Sequence, residues 1–200
     1  MRKVEHYYSE EPESFLKAKE IDVFFDGFFY RFKTPSGVFS YGKPDKASME
    51  LVKYSLISEN ERVLDLGCGY GLIGVLVKKI NPGIKLYMSD INKRALKFAK
   101  ENSLKNNIVS EIKSGNLFDP WKEYKFDNIL CNPPFAAGKK IWAEIVEESP
   151  KYLSENGKIH FVAYHNKGGE TLSKLMKETF GNLVTLSKNG GIRVYLSYNE

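Results

Sequence analysis

The stretch Val63-Leu64-Asp65-Leu66-Gly67-Cys68-Gly69-Tyr70-Gly71-Leu72-Ile73-Gly74 passes from an apolar strand through a glycine-rich turn into the start of a helix. Glycine adopts backbone conformations barred to other residues and lets a turn run close to a ligand. The helix that follows begins with amide N–H groups that have no intrahelical partner, so the turn is suited to holding a bound group. Gly69, Gly71 and Gly74 match the spacing of a dinucleotide-binding turn, and on spacing alone a nicotinamide enzyme is one reading. Asp65 argues against it. A carboxylate just before the glycines is unfavourable beside a pyrophosphate but suits a cation, such as the ammonium of a methionine moiety.

Outward from this turn the chain alternates strand and helix. Apolar periodicity puts strands at 62–66, 84–89, 109–114, 126–131, 158–164, 182–187 and 192–197, and helices at 70–80, 92–105, 139–153 and 169–180. This alternation predicts the α/β class: a doubly wound, mainly parallel, seven-stranded Rossmann-like sheet covered on both faces. Lys188-Asn189-Gly190-Gly191 has hairpin chemistry and predicts an antiparallel C-terminal hairpin. Residues 1–42 read as an aromatic N-terminal extension, a hairpin turning at Asp26-Gly27 and packed on the main domain of residues 43–200. Pro44 suits the first turn of a helix carrying Met49, Leu51, Val52, Tyr54, Leu56 and Ile57.

Composition narrows the class. With 42% hydrophobic and 28% charged residues, the chain has the balance of a globular protein. No stretch approaches the roughly 18–20 apolar residues of a membrane span. The segment Met1 to Tyr8 lacks the apolar core of a signal peptide. Cys68 and Cys131 have no metal-ligand spacing and read as reduced thiols, and His6, His160 and His165 form no metal constellation. The expectation is a cytoplasmic protein without a metal or a membrane partner. The net charge is +5, and it is unevenly placed: residues 1–60 carry 9 Lys/Arg against 10 Asp/Glu, whereas the remaining 140 carry 21 against 15. That basic excess is compatible with a polyanionic partner.

Three further strand ends carry chemistry. Leu86-Tyr87-Met88-Ser89-Asp90-Ile91 closes the second strand with an acid that can accept both hydroxyls of a ribose, and Ile91 can cover an adenine face. At the third strand end, Asn116 falls near an adenine edge, with Leu117 beside it. After the fourth strand comes Asn132-Pro133-Pro134-Phe135, where two prolines forbid both helix and ladder continuation. The Asn132 side-chain oxygen and the proline carbonyls are acceptors on a stiff backbone, and Phe135 adds an aromatic plane. Such a device can hold a flat group bearing an NH2.

In this order, the motifs resemble the class I S-adenosylmethionine-dependent methyltransferases. Asp65, Gly67, Gly69 and Gly71 look like the acid and glycines of the methionine loop, Asp90 like the ribose acid, and Asn116 like the adenine-edge residue. Asn132 to Phe135 resembles the catalytic motif of enzymes that methylate planar amino groups. Gly37-Val38-Phe39-Ser40, Cys131 to Phe135 and Gly190-Gly191-Ile192-Arg193-Val194 are similar to the ribosomal RNA guanine-N2 methyltransferase family. The resemblance spans residues 35–198 and implies S-adenosyl-L-methionine (AdoMet) as cofactor and ribosomal RNA as partner. It also implies catalytic roles for Asn132, Pro133 and Phe135. Bacterial members carry a second, degenerate copy of the fold ahead of the catalytic one. Here a short aromatic lead-in takes that place, which looks like the compact archaeal relatives.

The alternatives are a protein glutamine-N5 methyltransferase, whose motif is also Asn-Pro-Pro followed by an aromatic, and an adenine-N6 enzyme acting on DNA or RNA. Phe at 135, the Gly37–Ser40 segment and the basic balance favour RNA over a protein substrate, and the lack of a separate target-recognition segment counts against a DNA adenine enzyme. Lys139, Lys140 and Lys167 are candidates for phosphate contacts, and Arg193 for substrate contact.

Overall fold

The computed structural model describes residue 10 and residues 15–200; His6 lies outside the described residues. The chain runs β1 (Ala18–Phe25), β2 (Phe28–Pro35), α1 (Lys46–Tyr54), β3 (Arg62–Leu66), α2 (Leu72–Ile80), β4 (Lys85–Asp90), α3 (Lys93–Lys105) and β5 (Glu111–Ser114). It continues with β6 (Phe126–Cys131), α4 (Lys139–Glu148), β7 (Leu153–Tyr164), α5 (Gly169–Phe180), β8 (Val184–Asn189) and β9 (Ile192–Tyr198). Seven strands form one sheet in the order β5-β4-β3-β6-β7-β9-β8, parallel from β5 to β7. β9 is antiparallel to both its neighbours, so the last strand is inserted between β7 and β8 and β8 forms the edge. The fold is the doubly wound sheet that the alternation of elements predicts.

Side chains of β3 alternate between two cores. Val63 joins the cluster under α1, α2 and α3, whereas Leu64 and Leu66 join the cluster under α4 and α5. This is the period-two pattern of a strand covered on both faces. The described residues contain no helix long and apolar enough to cross a membrane.

Two helices, α1 and α4, differ at their ends from the periodicity. α4 stops at Glu148 rather than 153, because Pro150 supplies no N–H and the chain tightens into a 3-10 turn at Ser149–Tyr152. α1 starts after Asp45, which is its N-cap, so Pro44 lies outside the first turn. It ends at Tyr54, and Leu56 and Ile57 fall beyond it because Ser55 is extended. The Leu56 N–H then donates to Nε2 of the buried His160 at 3.1 Å. A bonded N–H donor requires that nitrogen to be unprotonated, and burial lowers the His160 pKa to about 3.

β1 and β2 pair antiparallel around Asp26 and Gly27, both with positive φ, in the manner of a type I′ turn. Val23, Tyr30 and Phe32 of this hairpin are buried in the same apolar cluster as α2 and α3. Asn102 of α3 completes the attachment. Its Oδ1 accepts from the Lys33 N–H at 2.8 Å, and its Nδ2 donates to the Lys33 and Tyr70 carbonyls at 2.9 and 2.8 Å. Asn102 thus stands in for a neighbouring strand along β2 and is fully buried while doing so. Truncating it leaves buried backbone groups unpaired, at about 1–3 kcal/mol for each such group. With three such groups freed, Asn102→Ala should lower the unfolding free energy by about 3 kcal/mol or more in urea titration. A loss below about 0.5 kcal/mol, the scale of an ordinary surface change, would contradict this attachment.

Candidate active site

The candidate site lies at the carboxyl edge of the parallel strands, where β3 has β4 on one side and β6 on the other. Strand order reverses there, so the connections leave in opposite directions and open a crevice. Leu66 of β3 is in register with Cys131 of β6, so the glycine turn and Asn132 leave adjacent strand ends at one level. A cavity opens between them, lined by Gly67 and Gly69, by Asp90 and Ile91, by Asn116 and Leu117, and by Asn132, Pro133 and Pro134. Val38, Phe39 and Ser40, which follow β2, form another wall, and the N-terminus of α1 adds Asp45 and Ser48.

The glycine turn is pinned from below. The Gly67 and Cys68 N–H groups both donate to the Ser89 carbonyl at 2.9 Å, and the Gly69 N–H donates to Asp90 Oδ2 at 2.8 Å. Gly67 and Gly69 have φ of 73° and 57°, and a side chain at Gly67 would meet nothing within 4 Å. The strained backbone and open space there suit a turn that a ligand approaches closely.

Gly71 behaves differently. It does not line the cavity, and a Cβ there would stand 3.3 Å from both Cα and Cβ of Ala99 in α3. Its φ of 88° and this close approach give it a packing constraint against α3, beside the ligand contact expected from the motif.

Asp65 is fully buried and also lies outside the cavity lining. Its Oδ2 accepts from the Gly74 N–H at 2.8 Å, while Oδ1 has no partner among the described residues. Burial raises its pKa to about 7; the Gly74 N–H opposes that rise, and the nearby Asp90 charge adds to it.

Asp90 sits in the wall itself. Oδ1 accepts from the Asn92 N–H and Oδ2 from the Gly69 N–H, both at 2.8 Å. Burial pushes its pKa up, and these amides work against it. The N-cap of α3 is Asn92, whose side chain accepts from the Ala95 N–H at 3.0 Å. Asp90 is thereby left free of the capping role while it lines the cavity. Asn92 also donates to the Gly37 carbonyl at 3.1 Å, and Arg94 donates to the Ser36 carbonyl at 2.9 Å. Two side chains at the start of α3 therefore hold the Val38–Ser40 wall in place.

Across the cavity, Asn132 donates both its amide hydrogens. Nδ2 lies 3.0 Å from Asp45 Oδ2 and 3.0 Å from Ser48 Oγ, and Oδ1 has no partner among the described residues. The Pro133 carbonyl accepts from the Phe135 N–H at 2.9 Å, closing an inverse γ-turn on Pro134, whose φ and ψ are −77° and 76°. The Pro134 carbonyl accepts from the Ala137 N–H at 2.8 Å. The proline carbonyls are therefore engaged, and each keeps one further lone pair.

Phe135 is not brought to the cavity. Its ring lies against Gly168, where an added Cβ would come within 2.9 Å, and tilts against Trp142 at 5.8 Å between centroids. The ring thus packs in the space between α4 and the start of α5.

Other candidates sort quickly. Cys68 and Cys131 are buried free thiols whose pKa burial pushes well up, which leaves them poor nucleophiles. The described residues hold no group of His, Cys, Asp or Glu that could bind a metal. His165 Nδ1 bonds Tyr195 Oη at 3.0 Å, and Lys167 lies over the Tyr164 ring. Lys139 and Lys140 are exposed at the start of α4, and Arg193 donates to its neighbour's carbonyl, that of Ile192. Sequence reasoning missed Asp45 and Ser48; an acid just ahead of an amphipathic run is an N-cap signal that could have singled out the first.

The crevice sets a glycine turn on one side against an asparagine amide on the other, and the family model for the methyltransferase small domain matches residues 29–196. The chain belongs to this family. Ribosomal RNA small subunit methyltransferase C of Aliivibrio fischeri (strain ATCC 700601 / ES114) is 35% identical over 182 residues, which are 88% of this chain and 52% of that protein. The chain thus spans about half the length of such curated relatives. Uncharacterized protein YbxB of Bacillus subtilis (strain 168) is 32% identical over 190 residues, which are 94% of each chain. Among solved structures, the T. thermophilus 16S rRNA N2 methyltransferase RsmC, in complex with AdoMet and guanosine, matches with a TM-score of 0.79. It is 22% identical, with 92% of this chain and 51% of that one covered.

The packing constraint on Gly71 is open to test. Gly71→Ala should lower the unfolding free energy by about 1–3 kcal/mol, from the left-handed backbone and the crowding against Ala99. Calorimetric affinity for AdoMet should stay within about twofold of wild type, since the substitution disturbs helix packing and leaves the cavity lining intact. Unchanged stability with weakened AdoMet would return Gly71 to the binding turn.

Proposed function

We propose that this protein is an AdoMet-dependent N-methyltransferase acting on the exocyclic amino group of a nucleobase, guanine N2 in ribosomal RNA. The observation that carries the reading is Asn132. Its amide nitrogen is fully occupied while its oxygen has no partner among the described residues, on a strand end level with the glycine turn. The activities for which the A. fischeri and T. thermophilus relatives are named support the same substrate class.

The residues present fit the cofactor. Gly67 and Gly69 leave room for a close approach, and the orphaned Oδ1 of buried Asp65 is a defect that a nearby cation would relieve. Asp90 would hold the ribose hydroxyls, Ile91 and Leu117 the adenine faces, and Asn116 the adenine edge. Bound there, AdoMet supplies an electrophilic methyl group carried on a sulfonium. A cationic ligand would also favour the ionised form of Asp65, which burial otherwise disfavours up to about pH 7.

On the acceptor side the chain supplies orientation. The amine of guanine is a weak nucleophile, because its lone pair is delocalised into the ring. Asn132 Oδ1 would accept one of its protons, and the remaining lone pair of the Pro133 carbonyl the other. Two acceptors fixed on a proline-stiffened turn favour a pyramidal nitrogen, with the lone pair directed toward the donor. This is catalysis by positioning and preorganised dipoles, with no covalent intermediate. Phe135 contributes by anchoring the turn between Gly168 and Trp142. A paired base would have to leave its stack to enter the cavity. A ribosomal RNA substrate would place the protein in the cytoplasm, and the β1–β2 hairpin, with Val23, Tyr30 and Phe32 buried against α2 and α3, would act as an extension of the catalytic domain.

Asn132→Ala should cut methyl transfer from labelled AdoMet to ribosomal RNA by about 10²–10³-fold or more, with AdoMet affinity within about twofold of wild type. Wild-type turnover by this variant would overturn the reading.

A further inference from the structure

We propose that Asp45 and Ser48 are positioning residues that fix the rotamer of the Asn132 amide, and so decide which of its two ends faces the acceptor. The inference rests on the catalytic reading of Asn132 given above. An asparagine amide has two ends of nearly equal shape: flipped by 180°, it would present NH2 where an acceptor is needed. A substrate NH2 facing a protein NH2 would gain no hydrogen bond, so the flip decides whether the site works.

The structure removes the ambiguity with a carboxylate. Asp45 Oδ2 can only accept when ionised, and it accepts three bonds: from the Ser48 N–H at 2.7 Å, from the Ser48 hydroxyl at 3.0 Å and from Asn132 Nδ2 at 3.0 Å. Ser48 spends its one hydroxyl hydrogen on Asp45, so toward Asn132 its oxygen can only accept, again from Nδ2 at 3.0 Å. Two acceptor-only contacts therefore converge on one end of the amide, and the flipped rotamer would set oxygen against oxygen at both. Oδ1 is left to face the acceptor.

Both partners come from the first turn of α1, more than 80 residues upstream of Asn132. Asp45 caps that helix and Ser48 is its third residue, so the helix terminus that starts the domain also sets the catalytic amide. Both residues line the cavity themselves, which leaves no intervening element for the signal to cross.

Capping and positioning can be separated by the choice of substitution. Glycine is a tolerated N-cap that costs a helix only a few tenths of a kcal/mol, yet it offers Asn132 no acceptor. In Asp45→Asn the Ser48 N–H still demands an oxygen, so that oxygen remains in place to accept from Asn132 as well. The experiment measures melting temperature, AdoMet affinity by calorimetry, and the kcat and KM of methyl transfer to ribosomal RNA for Asp45→Gly, Ser48→Ala, their double variant, Asp45→Asn and Asn132→Ala.

The expected result is a fall in kcat of about 10–100-fold for Asp45→Gly and more for the double variant, the scale of a misplaced positioning group. AdoMet affinity and melting temperature should stay near wild type, and Asp45→Asn should keep kcat within about threefold. Wild-type kcat in Asp45→Gly together with Ser48→Ala, beside an inactive Asn132→Ala, would overturn this inference alone. So would an Asp45→Asn variant as impaired as Asp45→Gly. Wild-type kcat in Asn132→Ala would instead overturn the catalytic reading on which it rests.

Discussion

The in-register parallel pairing of β3 with β6 is the constraint from which the site follows. Leu66 beside Cys131 forces the next residue of each strand, Gly67 and Asn132, to emerge at the same height. Strand order reverses here, so α2 and α4 leave on opposite faces, and the space between their approaches stays open. A one-residue slip would carry Leu64 and Leu66 out of the α4 and α5 core and turn Asp65 into it. The apolar alternation of β3 thus secures the fold and, in the same act, the spacing between donor and acceptor halves.

Electrostatically, the crevice is organised by three carboxylates that each meet backbone N–H groups. Asp65 takes Gly74, Asp90 takes Gly69 and Asn92, and Asp45 takes Ser48. These bonds fix the acids in orientation, and for the buried Asp65 and Asp90 they oppose the cost that burial puts on negative charge. Asp65 alone keeps a buried oxygen without a partner among the described residues, and burial holds its pKa near 7. A neighbouring cation would relieve that imbalance, which accords with a cofactor bearing both an ammonium and a sulfonium.

How much of this was legible in the sequence depended on range. Strand–helix alternation is local, and it pointed to the parallel sheet with its crossover helices α2, α3 and α4, while the turn chemistry at Gly190-Gly191 pointed to the hairpin. Asp90, Ile91, Asn116, Leu117 and Asn132 were found by motif, and the cavity brings them together. Gly71 and Asp65 carry motif spacing too, yet one serves packing against Ala99 and the other sits buried behind the turn, because spacing does not say which neighbour a residue meets. Phe135 illustrates the same limit: the ring's place depends on Gly168 and Trp142, which only the folded chain brings near. Asp45 was illegible for the opposite reason. It is an ordinary helix cap by local signal, and its bond with Asn132 forms only when α1 is laid beside the end of β6.

The central claim is that this crevice delivers a methyl group to a nucleobase amine. The most direct measurement incubates the protein with methyl-labelled AdoMet and ribosomal subunits, free ribosomal RNA or ribosomal proteins, then digests each to monomers and identifies the labelled product by mass spectrometry. The account predicts label in RNA, as N2-methylguanosine. Label confined to protein as N5-methylglutamine, or to RNA as N6-methyladenosine, would contradict it.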